Sequence, residues 1–592
     1  MSETQTISEK FSFMEGSLLG VGPKAVSITG SPAFFARFMS SVAGEAKDPN
    51  TASEPTVQAA LLQRSKAFAK LYAELLTDFG HPVTAESHLV FIPKDDQMIC
   101  RLFLSYWSKQ GTLEALRYLS SLSWEASDCA RLSAEVPALT ERILKESAPA
   151  GLNTAGLVLN LWAKKINAFE ITPNTLCIGT GRFSRLMRST STDQTSYISV
   201  RLCRNKLDTE SILALHGLPT ANGVLVQSTE QAQAYADDIG YPVVVKPVAE
   251  DRGKGVFSNL RDTSEVARAI ENGQKVSNTL MIERHVSGYT HRLTFADGEL
   301  IHARKRRPGG VIGDGVSTLR ILVDRKKEEP ESQTWRRRLG HFPIELDEEA
   351  LELLASLQKS ADDVLMRDEF VPLRRRDNVN SGGASVPLPL EAIHSSNVEM
   401  AKRAMHHLRL NIGGIDIITE DISVPWYDNG AIICEVNAIP QMSGLNTPDD
   451  HFRLLDLILP NGARHVPVYV FVVPHVVTAE DVSSVANHCG VSAVAFPEGI
   501  LNNGLFRACK SLSDACRSLA SDTDIAAFGV VTTASNLFAR GFPLSYANSV
   551  ELLEKSEFTP SDIAVLQNTF SKLGKENAQT ESSPSDVHVP LD

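Results

Sequence analysis

A lysine stands inside an apolar run that otherwise predicts a buried β-strand. The run reads Tyr241-Pro-Val-Val-Val-Lys-Pro247, and Lys246 is its single charged residue. Three consecutive valines favour a short strand, and a buried strand rarely contains a charge unless that charge has a partner. The sequence therefore predicts a strand that delivers an ammonium group to an anion.

A glycine-rich turn follows this strand. Gly253-Lys254-Gly255 lets backbone N–H groups approach an anion closely, and its lysine adds a mobile charge. Taken alone, the triplet is more typical of an ordinary surface turn. Because a helix and the lysine strand precede it and a further strand follows at Thr279–Glu283, we expect the ligand to be phosphate.

Oxygen donors recur on two later strands. Asp416 lies in the predicted strand Gly413–Ile418, and Glu435 and Asn437 share one face of the next strand because side chains alternate with a period of two. Mg²⁺ prefers carboxylate oxygens together with substrate phosphates, so we expect a magnesium–nucleotide site. The alternative is that Asp416 and Glu435 are strand-end acids paired with arginines.

Length and composition set the outer limits. A chain of 592 residues exceeds what one hydrophobic core supports, which predicts several domains. The formal net charge of −13, with basic residues spread along the chain, argues against nucleic acid as a main partner. Eight cysteines without a C-x-x-C pair indicate reduced thiols. No apolar run reaches transmembrane length, so we expect a cytoplasmic protein without a membrane partner.

Changes of pattern along the chain predict four segments. Helical patterns around Gln58–Phe79 and Met98–Leu119 mix with strand-like runs in an N-terminal α/β domain, and a small α/β domain closes the fold. The last segment is polar and is predicted to be disordered. The N-terminal, central, C-terminal and disordered segments comprise residues 1–170, 171–460, 461–571 and 572–592.

Several motifs between residues 176 and 460 follow a specific order. They are Arg182–Val200, His291–Leu293, Val311–Leu319, Ser381–Gly383, Gly413–Ile418 and Ile433–Ala438. This stretch resembles the ATP-grasp module of cyanophycin synthetase. The resemblance implies a multidomain α/β chain with an α+β ATP-grasp fold. It also implies an ATP-dependent ligase that activates a carboxylate as an acyl phosphate and joins it to an amine, with release of ADP and phosphate.

The resemblance also implies roles for individual residues. ATP would be bound by Lys206, Lys246, Gly253, Lys254, Gly255, Glu283, Arg284, His285 and Val286. The acyl phosphate would be held by Arg292, Arg306 and Arg374. Contacts to the amino-acid or peptide substrate would come from His291, Asn378, Asn380, Ser381, Gly382 and Gly383. Two Mg²⁺ ions, with Mn²⁺ as an alternative, would be bound by Asp416, Glu435 and Asn437.

Two departures from the family pattern leave the substrate open. Glu250-Asp251-Arg252 replaces the family's Gly-Asn-His before the glycine loop. Asn378-Val-Asn-Ser-Gly-Gly383 replaces the family's substrate segment Asn-Leu-Ser-Thr-Gly-Gly. The basic run Arg374–Arg376 before it would suit a carboxylate, although such runs are more often solvated.

The C-terminal segment also departs from the family. Pro467–Pro474 runs into His475–Thr478 without the phosphate loop of the family's Mur-ligase-like domain. We interpret the segment as a degenerate Mur-like remnant with a structural role. The two alternatives for that role are packing on the ligase module and forming a subunit interface, and we expect a homo-oligomer. Loss of the loop resembles cyanophycin synthetases of the second type, which join β-aspartyl-arginine dipeptides. Alternatives are a ligase for another peptide or natural-product amide, a phosphotransferase, and a non-catalytic ATP-binding protein.

Overall fold

The α/β fold class that the sequence predicts is confirmed by the computed structural model. None of the helices in the described part of the chain is both long enough and apolar enough to cross a membrane. The structure describes residues 11–14, 24–30, 35, 39, 55–94, 97–122, 136–149, 152–250, 254–329, 344–374, 377, 383–442, 448–459, 464–571 and 573.

The N-terminal region contains one antiparallel sheet with helices packed against it. The strands are β1 (Phe11–Met14), β2 (Ala25–Gly30), β3 (Ser87–Lys94) and β4 (Gln97–Ser105). They stand in the order β1-β2-β4-β3. The helices are α1 (Pro55–Asp78), α2 (Lys109–Ser121) and α3 (Ala138–Ser147).

One helical segment predicted in this region is wrong. Met98–Leu119 divides into strand β4 and helix α2, with Ser108 as the N-cap of the helix. Cys100, Leu102 and Leu104 are all buried in the same core. Their spacing of two is the period of a strand rather than of a helix, and it outweighs the helical propensity of the individual residues.

A small four-stranded sheet lies between two hydrophobic cores. It follows helix α4 (Leu152–Ala163) and comprises β5 (Ala168–Thr172), β6 (Thr175–Ile178), β7 (Arg185–Arg188) and β8 (Ser191–Thr192). Leu176 and Ile178 pack with α4, whereas Phe169 and Cys177 pack with the C-terminal unit. The boundary predicted at residue 170 therefore falls inside a strand.

The next sheet, called the small grasp sheet below, contains the predicted lysine strand. Its elements are α5 (Tyr197–Arg204), α6 (Lys206–Leu215), β9 (Val224–Val226), α7 (Thr229–Ile239), β10 (Val243–Pro247), β11 (Phe257–Leu260), α8 (Thr263–Gln274) and β12 (Leu280–Arg284). The strand order is β11-β10-β12-β9. Val243, Val245 and Ile282 pack into a core with α7 and α8. The alternate residues, including Lys246 and Glu283, therefore face the opposite side.

The large grasp sheet has five antiparallel strands. They are β13 (Tyr289–Ala296), β14 (Glu299–Arg307), β17 (Ala384–Leu388), β18 (Ile412–Thr419) and β19 (Ile432–Asn437), in the order β17-β14-β13-β18-β19. Leu293, Ile415 and Val436 form a core with Met400 and Leu213 from flanking helices. On the other face, Ala296 and Ile412 pack into a second core with α4 and with the last helix before the C-terminal unit, and the part around Arg292 and Asp416 is polar.

Shorter elements surround this sheet. Between β14 and β17 lie β15 (Gly310–Ile312), α9 (Leu319–Glu328), α10 (Glu348–Ser356) and β16 (Phe370–Pro372), and strands β15 and β16 pair with each other. The remaining helices of the region are α11 (Ser395–His407), α12 (Trp426–Asn429) and α13 (Pro448–Ile458).

The C-terminal unit is built on a six-stranded sheet. Its elements are β20 (Val468–Val473), α14 (Ala479–Cys489), β21 (Ala493–Phe496), β22 (Gly499–Asn502), β23 (Leu505–Ala508), α15 (Leu512–Ala520), β24 (Phe528–Thr533), α16 (Ala534–Arg540), β25 (Ser549–Leu552) and α17 (Pro560–Ser571). Strands β21, β24, β20 and β25 are parallel neighbours, as in an α/β fold. Of the tail predicted to be disordered, only Leu573 is described, and it is buried. Positions 572 and 574–592 lie outside the described residues.

Candidate active site

Lys246 lies in β10 and is only 6% exposed. Its Nζ atom is 2.6 Å from Glu283 Oε2 on β12 and 4.0 Å from Glu210 Oε1 on α6. Burial alone would lower the pKa of Lys246, but the two carboxylates outweigh burial and raise it. The anionic partner that the strand requires is therefore supplied, in this structure, by the protein itself.

Glu210 is a buried carboxyl that the sequence did not single out. Its Oε2 accepts a hydrogen bond from the Gly223 N–H at 2.7 Å. Burial and the nearby charge of Glu283 raise the pKa of Glu210 to about 7, although Lys246 opposes them. Lys246 therefore has two carboxyl neighbours. Glu283 is close to its ammonium group, and Glu210 is farther away and has a raised pKa.

Three predicted ATP-binding residues, called the hinge residues below, connect β12 of the small grasp sheet with β13 of the large grasp sheet; they are Arg284, His285 and Val286. Arg284 ends β12, and its N–H donates to the Ala221 carbonyl at 3.3 Å. The His285 N–H donates to the Pro242 carbonyl at 3.0 Å, and burial lowers the pKa of its imidazole. Val286 is half-buried in the same connection to β13. These residues are therefore placed where the adenine base of ATP could lie between the sheets.

The remaining predicted phosphate-binding residues surround the end of β10. Lys206 donates from Nζ to the Glu250 carbonyl at 2.7 Å, and Lys254 is exposed. Gly255 has a φ of +72°, in the left-handed region, and a Cβ there would lie 3.0 Å from Pro247 Cγ. Gly253 lies outside the described residues.

Arg292 and Asp416 form a buried ion pair on the polar face of the large grasp sheet. They are register partners on β13 and β18, and Arg292 donates from Nε and Nη2 to the two carboxylate oxygens. Arg306 Nη1 on β14 lies 3.7 Å from Asp416 Oδ2. Burial would raise the pKa of Asp416, but the two arginines hold it below its ordinary value. This is the arginine pairing that the sequence left open as an alternative to metal binding.

Glu435 and Asn437 continue this polar face on β19. Glu435 is the register partner of Asp416, and Asn437 is the register partner of Gly414. The buried Nδ2 of Asn437 has no hydrogen-bond partner among the described residues. Because an amide can present either its nitrogen or its oxygen, Asn437 and Glu435 together suit a divalent cation that also binds phosphate oxygens. Asp416 could join them only by sharing its carboxylate with Arg292.

No group of three or more His, Cys, Asp or Glu side chains within the described ranges is placed to hold a metal ion. The candidate oxygen donors for a cation here are Glu435 and Asn437 on β19.

The polar faces of the two grasp sheets meet at Cys434. Burial and the charges of Asp416 and Glu435, on the large sheet, raise the pKa of this thiol. Lys246 and Glu283, on the small sheet, also act on it. Lys246 and the cation candidates Asp416 and Glu435 therefore all lie near Cys434.

Asp377 is a further carboxyl on this face that the sequence did not identify. It hydrogen bonds with Thr290 and lies near Arg306 and Asp416, and burial raises its pKa. Its only signal in the sequence is its position directly after a basic run.

Two predicted residues point elsewhere. His291 is buried on the face opposite Arg292, because consecutive residues of a strand alternate, and burial lowers its pKa to about 4. Arg374 donates from Nη1 to Asp347 Oδ1 at 3.1 Å, and Asp347 is the N-cap of α10. Gly383 directly precedes β17. The other predicted substrate contacts, which lie outside the described residues, are Asn378, Asn380, Ser381 and Gly382.

The loop that follows β19 is held from the N-terminal side. The Thr190 hydroxyl donates to the Pro440 carbonyl at 2.7 Å, and Asn153 Nδ2 donates to the same carbonyl at 3.2 Å. A Cβ at Gly414 would lie 2.9 Å from Arg292 Cδ and 3.1 Å from Pro440 Cβ. The Arg292–Asp416 ion pair therefore packs together with the end of β19 and the loop that follows this strand.

Residues 199–291 match the family model described as an ATP-grasp domain. This range contains α6, the whole small grasp sheet and the start of β13. It therefore includes Lys206, Lys246 and the hinge residues.

Three curated relatives extend the similarity over a longer range. The cyanophycin synthetase of Trichormus variabilis is 30% identical over 333 residues, covering 54% of this chain and 35% of that protein. The cyanophycin synthetase of Crocosphaera subtropica is 31% identical over 305 residues, covering 50% and 34%. The bifunctional glutathione biosynthesis protein of Desulfotalea psychrophila is 29% identical over 294 residues, covering 48% and 37%.

This chain thus spans only about a third of the length of the curated relatives that it matches. The chain therefore contains an ATP-grasp domain and is similar to the cyanophycin synthetases over about half of its length.

Proposed function

We propose that this chain is an ATP-dependent carboxylate–amine ligase that forms an amide bond through an acyl phosphate. The observation that carries the proposal is that buried Lys246, inside the matched ATP-grasp residues 199–291, and the buried Arg292–Asp416 pair both lie near Cys434. The Lys246 ammonium group and the Arg292 guanidinium group can together hold two anionic reactants, ATP and a carboxylate, next to each other.

Positioning and charge neutralisation account for most of this chemistry. Lys246 binds a nucleotide phosphate while it keeps its contact with Glu283, and Lys206 and Lys254 lie at the same end of β10. Arg292 and Arg306 stabilise negative charge on the acyl phosphate, because their guanidinium groups are fixed before substrate arrives. Arg374 is held by Asp347, so its proposed contact to substrate would require a change of partner.

Glu435 and Asn437 would hold Mg²⁺, with Asp416 sharing its carboxylate. When bound, Mg²⁺ would neutralise phosphate charge, and a second Mg²⁺ ion or Mn²⁺ in its place belongs to the same proposal. The proposal gives His291 no direct contact with substrate, because its side chain lies on the other face of β13.

The proposed substrate is a peptide or amino acid, with β-aspartyl-arginine and growing cyanophycin as the leading pair. Similarity to cyanophycin synthetases supports this choice. The absence of glycine and lysine between β20 and α14 supports a single ligation activity, since the C-terminal unit then offers no phosphate loop there. We further propose a cytoplasmic homo-oligomer, which light scattering of the purified protein would test.

The test is ADP release by the purified chain with MgATP and β-aspartyl-arginine, with and without a short cyanophycin primer, followed by mass spectrometry. We expect release to depend on the dipeptide and products to grow by dipeptide units. Glu435→Gln should abolish turnover, whereas Glu420→Gln, an exposed glutamate just after the neighbouring strand β18, should not. Amide products from other amino acids alone would retain the ligase and reject the cyanophycin assignment. No nucleotide turnover with any amine would reject the ligase.

A further inference from the structure

The ionised groups around Lys246 have a negative net charge, whereas phosphate binding requires a positive one. Lys246, Glu283 and Glu210 are 6%, 5% and 8% exposed, so little water screens them. When all three are ionised, the pocket has one more negative charge than positive charge. An incoming phosphate would meet repulsion from two carboxylates as well as attraction to one ammonium group.

The two carboxylates differ in how firmly they are held. Glu283 Oε2 lies 2.6 Å from Lys246 Nζ, whereas Glu210 Oε1 lies 4.0 Å from it. The Gly223 N–H binds Oε2 of Glu210, which leaves Oε1 as the oxygen that faces the lysine. Glu210 is thus the carboxylate that can become neutral without breaking a close ion pair.

We propose that Glu210 is a further residue of the nucleotide site, and that it takes up a proton from solvent when nucleotide phosphates bind at Lys246. The inference rests on the proposed function, because it assumes that the nucleotide phosphates bind at Lys246. Each phosphate oxygen adds negative charge beside Glu210 and so favours its neutral form. The proton comes from solvent and binds Oε1, and no bond of the nucleotide forms or breaks.

Two neighbours of Glu210, Lys246 and Tyr235, do not change charge near pH 7. Lys246 on β10 has a raised pKa and stays positive. Tyr235 on α7 has a raised pKa and stays neutral, and Glu283 on β12 remains in contact with Lys246. His285, next to Glu283, has a lowered pKa and is neutral near pH 7. Burial and Glu283 raise the pKa of Glu210 itself to about 7, so both of its states are accessible there.

The experiment is calorimetric titration of the full-length chain with MgADP at pH 7.5, in two buffers of different ionisation enthalpy. The dependence of the observed heat on the buffer gives the number of protons taken up. We expect wild type to take up about half a proton or more, and Glu210→Gln to take up correspondingly less. Asp208→Asn, an exposed carboxylate on the same helix, is the matched control and should behave as wild type.

The Kd for MgADP gives a second readout. In wild type it should rise by up to about tenfold per pH unit between pH 7 and 8.5, and in Glu210→Gln it should stay nearly constant. Proton uptake by Glu210→Gln equal to that of wild type would overturn the inference while leaving the function intact. Failure of MgADP to bind any of the three proteins would instead reject the function. If Glu210→Gln does not fold, a wild-type Kd that is constant over this pH range decides against the inference.

Discussion

The ATP-grasp region and the C-terminal unit differ in what their sheets bury. The grasp sheets bury Lys246, Glu283, Arg292 and Asp416. Among the described residues of 464–571, no Asp, Glu, Lys or Arg is buried. Moving a charge out of water costs several kcal/mol even after relaxation, so a fold that buries charges needs compensation from partners or from a ligand. This contrast supports the proposed site in the grasp region.

The largest expected effect comes from Asp416→Asn, which tests the contrast directly. The change leaves Arg292 buried beside a neutral amide, and removing one partner of a buried ion pair costs about 3–5 kcal/mol. We expect ADP release to fall by at least about a hundredfold and the free energy of unfolding to fall in parallel. Asp524→Asn, on the surface of the C-terminal unit, should change stability by less than about 0.5 kcal/mol. Equal losses in both variants would remove the distinction between the two regions.

Lys246→Met should give the next largest effect, on nucleotide binding. It removes the ammonium group and leaves Glu210 and Glu283 facing each other, so the Kd for MgATP should rise by at least about thirtyfold. Fluorescent-nucleotide displacement measures this change. Lys275→Met, at an exposed position after α8, provides the control and should bind as wild type. A wild-type Kd in Lys246→Met would show that phosphates bind elsewhere.

His465 offers a stability test at the junction with the C-terminal unit. Its Nε2 accepts a hydrogen bond from the Asn167 N–H at 2.9 Å, and burial lowers its pKa to about 3. Below pH 6.5 the unfolded chain binds a proton that the folded chain does not, so stability is lost as the pH falls from 6.5 towards 3. This amounts to about 1.4 kcal/mol per pH unit.

The comparison is urea unfolding of wild type and His465→Gln at pH 7 and pH 5. Glutamine can still accept the Asn167 hydrogen bond but does not titrate, so the variant should lose about 2 kcal/mol less than wild type between the two pH values. Another buried histidine, His81, also has a lowered pKa, of about 4, but it is present in both proteins. Identical losses would assign the acid sensitivity to groups other than His465.

Thr190→Val should have the smallest effect, on turnover and on the Mg²⁺ requirement. The loop after β19 loses the hydrogen bond from the Thr190 hydroxyl to Pro440, which is worth about 1 kcal/mol. We expect roughly a fivefold decrease in kcat and a higher Mg²⁺ concentration for half-maximal activity. Thr172→Val, exposed at the end of β5, should change neither quantity. An unchanged Mg²⁺ requirement in Thr190→Val would separate this loop from the cation site.

Features with a local pattern could be predicted from the sequence. The valine run gave β10 with Lys246 in it, and period-two alternation placed Glu435 and Asn437 on the same side of β19. The same alternation separates His291 from Arg292, so their opposite faces were also predictable.

The partners of the charged residues could not be predicted, because they depend on tertiary packing. Glu210 reaches Lys246 from a separate helix, and no local pattern distinguishes it from an exposed helical glutamate. Asp347 takes Arg374 because the insertion between β14 and β17 brings the start of α10 next to it. Long-range contacts of this kind decide which basic residues lie in the candidate active site.

Gly414 connects the ion pair and the loop in a way that limits variation. Its missing side chain leaves room for Arg292, which Asp416 fixes in place, and for Pro440, which Thr190 and Asn153 fix in place. Arg292 and Pro440 can move away only by losing their own hydrogen bonds. Any other residue at position 414 therefore causes a steric clash and the loss of hydrogen bonds. In a saturation library selected for activity, we expect glycine alone to be retained at position 414, although its backbone forms a regular strand that other residues could adopt.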